Sequence, residues 1–133
     1  MQTPEVTDHR VLIVDDDPGV RSLLTALLRD RYRVEVAVDG EEATHVIRQD
    51  RFCAVLLDLM LPKLNGFELL RFVAAERPQL MSRVIVVTAV SDTTLRDFDS
   101  SKVRRLMRKP FDINDLVESV AACADQDNGH HWH

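Results

Sequence analysis

Five short apolar runs are spaced along the chain, at Arg10–Val14, Arg33–Val38, Cys53–Leu57, Val84–Thr88 and Arg105–Arg108. Between them lie longer stretches in which apolar residues return every three or four positions. Short runs alternating with helical periodicity predict parallel strands joined by crossover helices. VLIV, AVLL and VIVV are unbroken, as strands covered on both faces are, whereas RVEVAV alternates and so belongs at a wetter edge of the sheet.

The helical stretches carry their own start signals. Asp17 is placed to cap the first helix, Pro18 fits its first turn, and Val20, Leu23, Leu24, Leu27 and Leu28 form one stripe. Asp112 caps the last helix, whose stripe is Ile113, Leu116, Val117, Val120, Ala121 and Ala124. Glu41–Arg48 and Gly66–Glu76 read as two more helices. Asp92–Ser101 reads as a weak fifth one, because Thr, Ser and Asp dilute its apolar face and compete for its backbone.

A chain of 133 residues with 45% hydrophobic content makes one domain with a real core. Its bounds fall at residues 9 and 124, leaving an extension over residues 1–8 and a tail, DQDNGHHWH, with nothing to pack. The tail is expected to be disordered, and its histidines read as a frayed terminus rather than a metal site. No run approaches the roughly 20 apolar residues of a membrane span, and MQTPEVTDHR lacks a signal-peptide pattern. A cytoplasmic protein without membrane contact is expected. The net charge of −5 disfavours direct nucleic-acid binding. Cys53 and Cys123 lie in apolar segments without metal-ligand spacing and read as buried free thiols.

In a doubly wound parallel sheet, ligands gather at the carboxyl ends of the strands. Asp15 and Asp16 follow the first strand, Asp58 the third and Lys109 the fifth, while Thr88 ends the fourth. Any one of these has an ordinary explanation as a cap or a solvated side chain; the joint placement does not. Carboxylates brought together repel unless they hold protons or share a cation, and Mg²⁺ suits a few carboxylates with retained water. Thr88 and Lys109 add a hydroxyl donor and a positive charge suited to phosphoryl oxygens. Because a carboxylate can itself be the nucleophile in phosphoryl transfer, Asp58 is the candidate acceptor.

VLIVDDD, VLLDLMLPKLNGFELL, VIVVTA and RKPF, in this order and spacing, resemble the response-regulator receiver domains of two-component signalling, the CheY-like group, over about residues 9–124. The resemblance implies a flavodoxin-like (βα)5 fold with strand order 2-1-3-4-5. It also implies Asp58 as phosphoacceptor, Asp16, Asp58 and the backbone carbonyl of Met60 as Mg²⁺ ligands, and Asp15 acting largely through water. Thr88 would grip the phosphoryl group after a loop shift, and Lys109 would pair with it across a cis Lys109–Pro110 bond. Pro62 and Gly66 would shape the loop after the acceptor, Gly66 by allowing a turn closed to other residues. Asp17 matches no such role and stays a helix cap.

The implied partners are a sensor histidine kinase or phosphotransfer protein and a downstream protein or output domain, with the chain a monomer or a phosphorylation-dependent dimer. It would act as a phosphoacceptor and not as an enzyme on a separate metabolite. Two departures stand out. Leu106 occupies the position, three before the lysine, where similar domains carry a switch aromatic, and DFDSSKVRRLM lacks their usual Gly-Ala pair. Output geometry is therefore expected to differ. Met60 and Val90, apolar beside the acceptor, are expected to slow attack by water. The basic run Lys102–Lys109 reads chiefly as a solvated edge, and if functional as a contact for an acidic protein surface.

Other readings are a pseudo-receiver docking scaffold, a Mg²⁺-dependent phosphatase with an aspartyl nucleophile, and a flavodoxin-like redox domain. The phosphatase group similar to haloacid dehalogenases places its nucleophile after the first strand, not the third. A flavin phosphate would be repelled by DDDPG.

Overall fold

The structure, a computed structural model, describes residues 9–131, with side chains described through Asp125. Five parallel strands, β1 (Arg10–Val14), β2 (Arg33–Ala37), β3 (Ala54–Leu57), β4 (Val84–Thr88) and β5 (Arg105–Arg108), form one sheet in the order β2-β1-β3-β4-β5. Helices α1 (Pro18–Leu28), α2 (Gly40–Gln49), α3 (Gly66–Glu76), α4 (Asp92–Leu95) and α5 (Ile113–His131) cross between or follow them. The expected doubly wound, flavodoxin-like (βα)5 sheet is the observed one, with β2 at an edge.

The pleat divides the core in two. Val11 and Ile13 of β1, Ala54 and Leu56 of β3 and Ile85 and Val87 of β4 join Leu24 and Leu28 of α1 and Leu116 and Val120 of α5. Their alternates, Leu12, Val14, Val55, Leu57, Val84 and Val86, join Ala43 and Ile47 of α2 and Leu69 and Val73 of α3. Side chains alternate in direction along a strand, so runs with no polar member must be capped on both faces, as these are.

Local signals set the helix starts. The Asp17 carboxylate accepts from the backbone of Gly19 and Val20, Asp39 accepts from Glu42, and Asn65 and Glu68 form a reciprocal capping box. The expected helix over Asp92–Ser101 is instead a single turn, followed by a separate 3-10 turn at Ser100–Lys102. Asp99 explains the break: its carboxylate accepts from both the backbone and the hydroxyl of Ser101 and so starts a new turn. At the other end, α5 runs on through His131, past the stripe that ends at Ala124. Residues 1–8, Trp132 and His133 lie outside the described residues.

The loop from Asp58 to Asn65 is locked against α2 and α3 by two glycines. A Cβ on Gly40 would stand 1.9 Å from the Leu64 carbonyl oxygen, and one on Gly66 would stand 2.4 Å from Leu59 Cα. Gly66 is thus required by close approach and not by a left-handed turn, which corrects the expectation from sequence. The left-handed position in the loop is Lys63, at φ 65°. Its ammonium lies 3.5 Å from the Asp39 carboxylate that caps α2. Because the atom a Cβ on Gly40 would meet is backbone, Gly40→Ala is expected to cost about 1–3 kcal/mol, read as a lower denaturation midpoint at unchanged slope.

Candidate functional site

The strand register brings the polar residues to one level. Val14 pairs with Leu57, and the ladder continues one step beyond both strands, where the Asp58 N–H donates to the Val14 carbonyl at 3.0 Å. Asp15 and Asp58 therefore emerge side by side from adjacent strands, on the face shared with Ile13 and Leu56. Thr88 pairs with Arg108, and the Lys109 N–H donates to the Thr88 carbonyl at 2.9 Å. Lys109 follows Met107 in the alternation and points to the same face as the two aspartates.

Contacts among the side chains are direct. Lys109 Nζ donates to Asp15 Oδ2 at 2.9 Å and to Asp58 Oδ2 at 3.0 Å. Thr88 Oγ1 donates to Asp58 Oδ1 at 2.9 Å, and the Met60 N–H reaches the same oxygen at 3.1 Å. Asp15 Oδ1 accepts from the Asp17 N–H, and Arg21 Nη1 donates to the Asp15 carbonyl at 3.0 Å. Asp15, Asp58 and Thr88 are buried, while Asp16 is exposed. Carboxylate oxygens of Asp15, Asp16 and Asp58 all lie within 4.8 Å of one another. The Lys109–Pro110 bond is cis, as the resemblance implied.

The electrostatics follow from this crowding. Burial pushes the Asp15 carboxyl up, with nearby Asp58 adding to the rise, and the Lys109 ammonium and the Asp17 N–H only partly offset it. For Lys109, burial works against the charge, but hydrogen bonds to Asp15 and Asp58 outweigh it and hold the ammonium above the usual lysine range. With all three carboxylates ionised, one ammonium leaves two negative charges uncompensated. That imbalance, and the all-oxygen donor set, fit a hard divalent cation.

Asp15, Asp16, Asp58, Thr88 and Lys109, singled out from the sequence, lie together here. Met60 is 60% exposed at the rim, and Val90, expected to flank the pocket, is buried with its N–H 3.4 Å from Thr88 Oγ1. Arg21 was missed, since its signal, a basic residue one helical turn inside α1, is common. The basic run is not simply a solvated edge. Arg105 forks onto the Asp115 carboxylate, with Nη2 to Oδ2 at 2.6 Å, and Nη1 also reaches Ser119 Oγ at 2.8 Å. Arg108 pairs with Asp92. Leu106 is half-buried against the core, and Phe98 from the loop after α4 packs edge-on against Phe67 of α3 at 6.0 Å between ring centres.

Residues 11–121 match the response regulator receiver domain family. The chain belongs to it. The receiver is 38% identical over 121 residues to the response regulator MprA of Mycolicibacterium vanbaalenii, covering 85% of this chain and 49% of that protein. It is 36% identical over 117 residues to the DNA-binding response regulator MtrA of Mycolicibacterium smegmatis, covering 86% and 50%. The receiver thus spans about half the length of these curated relatives. Among solved structures, it resembles a CheY-like receiver domain protein of Methanospirillum hungatei, with a TM-score of 0.81 and 28% identity over 92% of this chain and 98% of that one. It also resembles the response regulator TrrA of Thermotoga maritima in complex with Mg(2+)-BeF, with a TM-score of 0.76 and 28% identity over 86% and 98%. Among the described residues, no helix of the receiver is long and apolar enough to cross a membrane.

The raised Asp15 carboxyl carries a definite sign. A group whose pKa is higher folded than unfolded favours folding in its protonated form, and that contribution fades as pH rises through the folded value. Asp15→Asn is therefore expected to stabilise the metal-free receiver at neutral pH. The gain should shrink on acidification toward the ordinary carboxylate range. Thermal melts in chelator across that pH span would check it; a gain that grows on acidification would contradict it.

Proposed function

We propose that the receiver accepts a phosphoryl group on Asp58 from the phosphohistidine of a sensor kinase or phosphotransfer protein, and that the modified domain acts on a downstream protein or output domain. The observation that carries this reading is the convergence of Lys109 and Thr88 on the Asp58 carboxylate, at 3.0 Å and 2.9 Å. In the transfer, the bond from phosphorus to the imidazole nitrogen breaks as the bond to an Asp58 oxygen forms. The leaving imidazole regains its proton from solvent. Such a transfer needs placement and charge neutralisation more than covalent help from the protein. Lys109 and Thr88 are poised to donate to the phosphoryl oxygens as they arrive, and the Met60 N–H holds the acceptor carboxylate in place.

Asp16, Asp58 and the Met60 carbonyl would hold Mg²⁺, with Asp15 acting mainly through bound water. When present, the cation neutralises the gathered carboxylates and the equatorial oxygens of the incoming group. The receiver modifies itself rather than turning over a separate metabolite, and its cytoplasmic setting follows from its donors. The MtrA relative is named as DNA-binding; for this chain the net charge of −5 favours a protein as the immediate contact.

Incubation with acetyl phosphate and Mg²⁺ should add the mass of one phosphoryl group to the intact protein. Asp58→Asn should abolish the gain, and a gain that survives that substitution would move the acceptor elsewhere. In the unmodified protein, Mg²⁺ should raise the melting temperature in a concentration-dependent manner. Asp16→Asn should remove most of that rise.

A further inference from the structure

Arg108 ends β5 immediately before Lys109, and its guanidinium reaches across to the loop that follows β4. Nη2 donates to the Val90 carbonyl at 2.9 Å and Nη1 to Asp92 Oδ1 at 2.6 Å. Val90 is itself tied to the site, because its N–H lies 3.4 Å from Thr88 Oγ1, the hydroxyl that donates to Asp58. An unbroken polar path thus runs from the Asp58 carboxylate through Thr88 and Val90 to Arg108 and to Asp92, the first residue of α4. Leu106, two residues earlier on the same side of β5, has no side-chain polar atom with which to join it.

We propose that Arg108 is a latch on the loop between β4 and α4, closed while Asp58 is unmodified and released when Asp58 carries a phosphoryl group. Esterification turns one Asp58 oxygen into a bridging atom and carries the negative charge outward onto the phosphoryl oxygens. Donors now facing the carboxylate must follow that charge. For Thr88 this means turning its hydroxyl outward, and the Val90 N–H that donates to that oxygen keeps its acceptor only by following it, which draws the loop toward the site. Arg108 grips the Val90 carbonyl and opposes that movement, so latch and modification compete for the same few residues. Release frees the Arg108 guanidinium and the Asp92 carboxylate together, and so changes the charges shown at the start of α4 without a ring having to move. A planar fork serves two acceptors at once in a way that a lysine ammonium does not.

This inference rests on phosphorylation at Asp58, and the test separates the two. Amide hydrogen exchange over residues 90–95 would be followed in wild type, Arg108→Ala and Arg108→Lys, with and without acetyl phosphate and Mg²⁺, beside intact mass. Without donor, both variants should exchange faster there than wild type, with melting temperatures near its own. On modification, wild type should rise to their level, while the variants change little. The phosphoryl mass should accrue about two- to fivefold faster in Arg108→Ala, in keeping with loss of one largely exposed ion pair. Equal exchange in unmodified wild type and Arg108→Ala would overturn the latch, as would full mass gain in wild type with no loosening of the segment. A wild type that gains no mass would refute the phosphoacceptor reading and leave the latch with nothing to release it.

Discussion

Lys109 Nζ touches both Asp15 and Asp58, and much of the carboxyl edge of the sheet is arranged around that three-body contact. Two buried carboxylates at adjacent strand ends would push β1 and β3 apart in a medium of low dielectric. One ammonium spans them, supplied from just past the end of β5, two places from β3 and three from β1. Asp16, exposed at the mouth, adds further negative charge and leaves the cluster short of a counter-ion. A group arriving with positive charge, or with phosphoryl oxygens needing donors, would find carboxylates, an ammonium and a hydroxyl already gathered, with little left to reorganise.

Much of this was legible in the chain because parallel sheets write their rules into sequence. VLIV, AVLL and VIVV have no polar member, which only strands covered on both faces tolerate. The residues that follow them must then lie along one edge of the sheet, so Asp15, Asp58, Thr88 and Lys109 could be placed together before any coordinates. The family pattern supplied what periodicity does not, such as the cis Lys109–Pro110 bond.

What stayed hidden depended on distances between elements remote in sequence. Gly66 reads as a turn residue in the sequence, and its reason is the approach of Leu59; Gly40 is pressed against Leu64, a contact no local pattern marks. Asp92–Ser101 has the length of a helix, but α4 stops at Leu95 and the side chain of Asp99 starts a separate turn. The arginines of β5 read as a solvated edge because their partners, Asp92 and Asp115, sit in other elements whose orientation only the fold decides.

The clamp of the acceptor loop onto α2 gives the domain a mechanical asymmetry. Leu64 against Gly40, together with Lys63 against Asp39, makes one flank of the acceptor a stiff abutment. On the opposite flank, a one-turn α4 and its neighbouring bend hold fewer packed side chains. A displacement at Asp58 would meet backing on the first side and less of it on the second, giving any recoil a preferred direction.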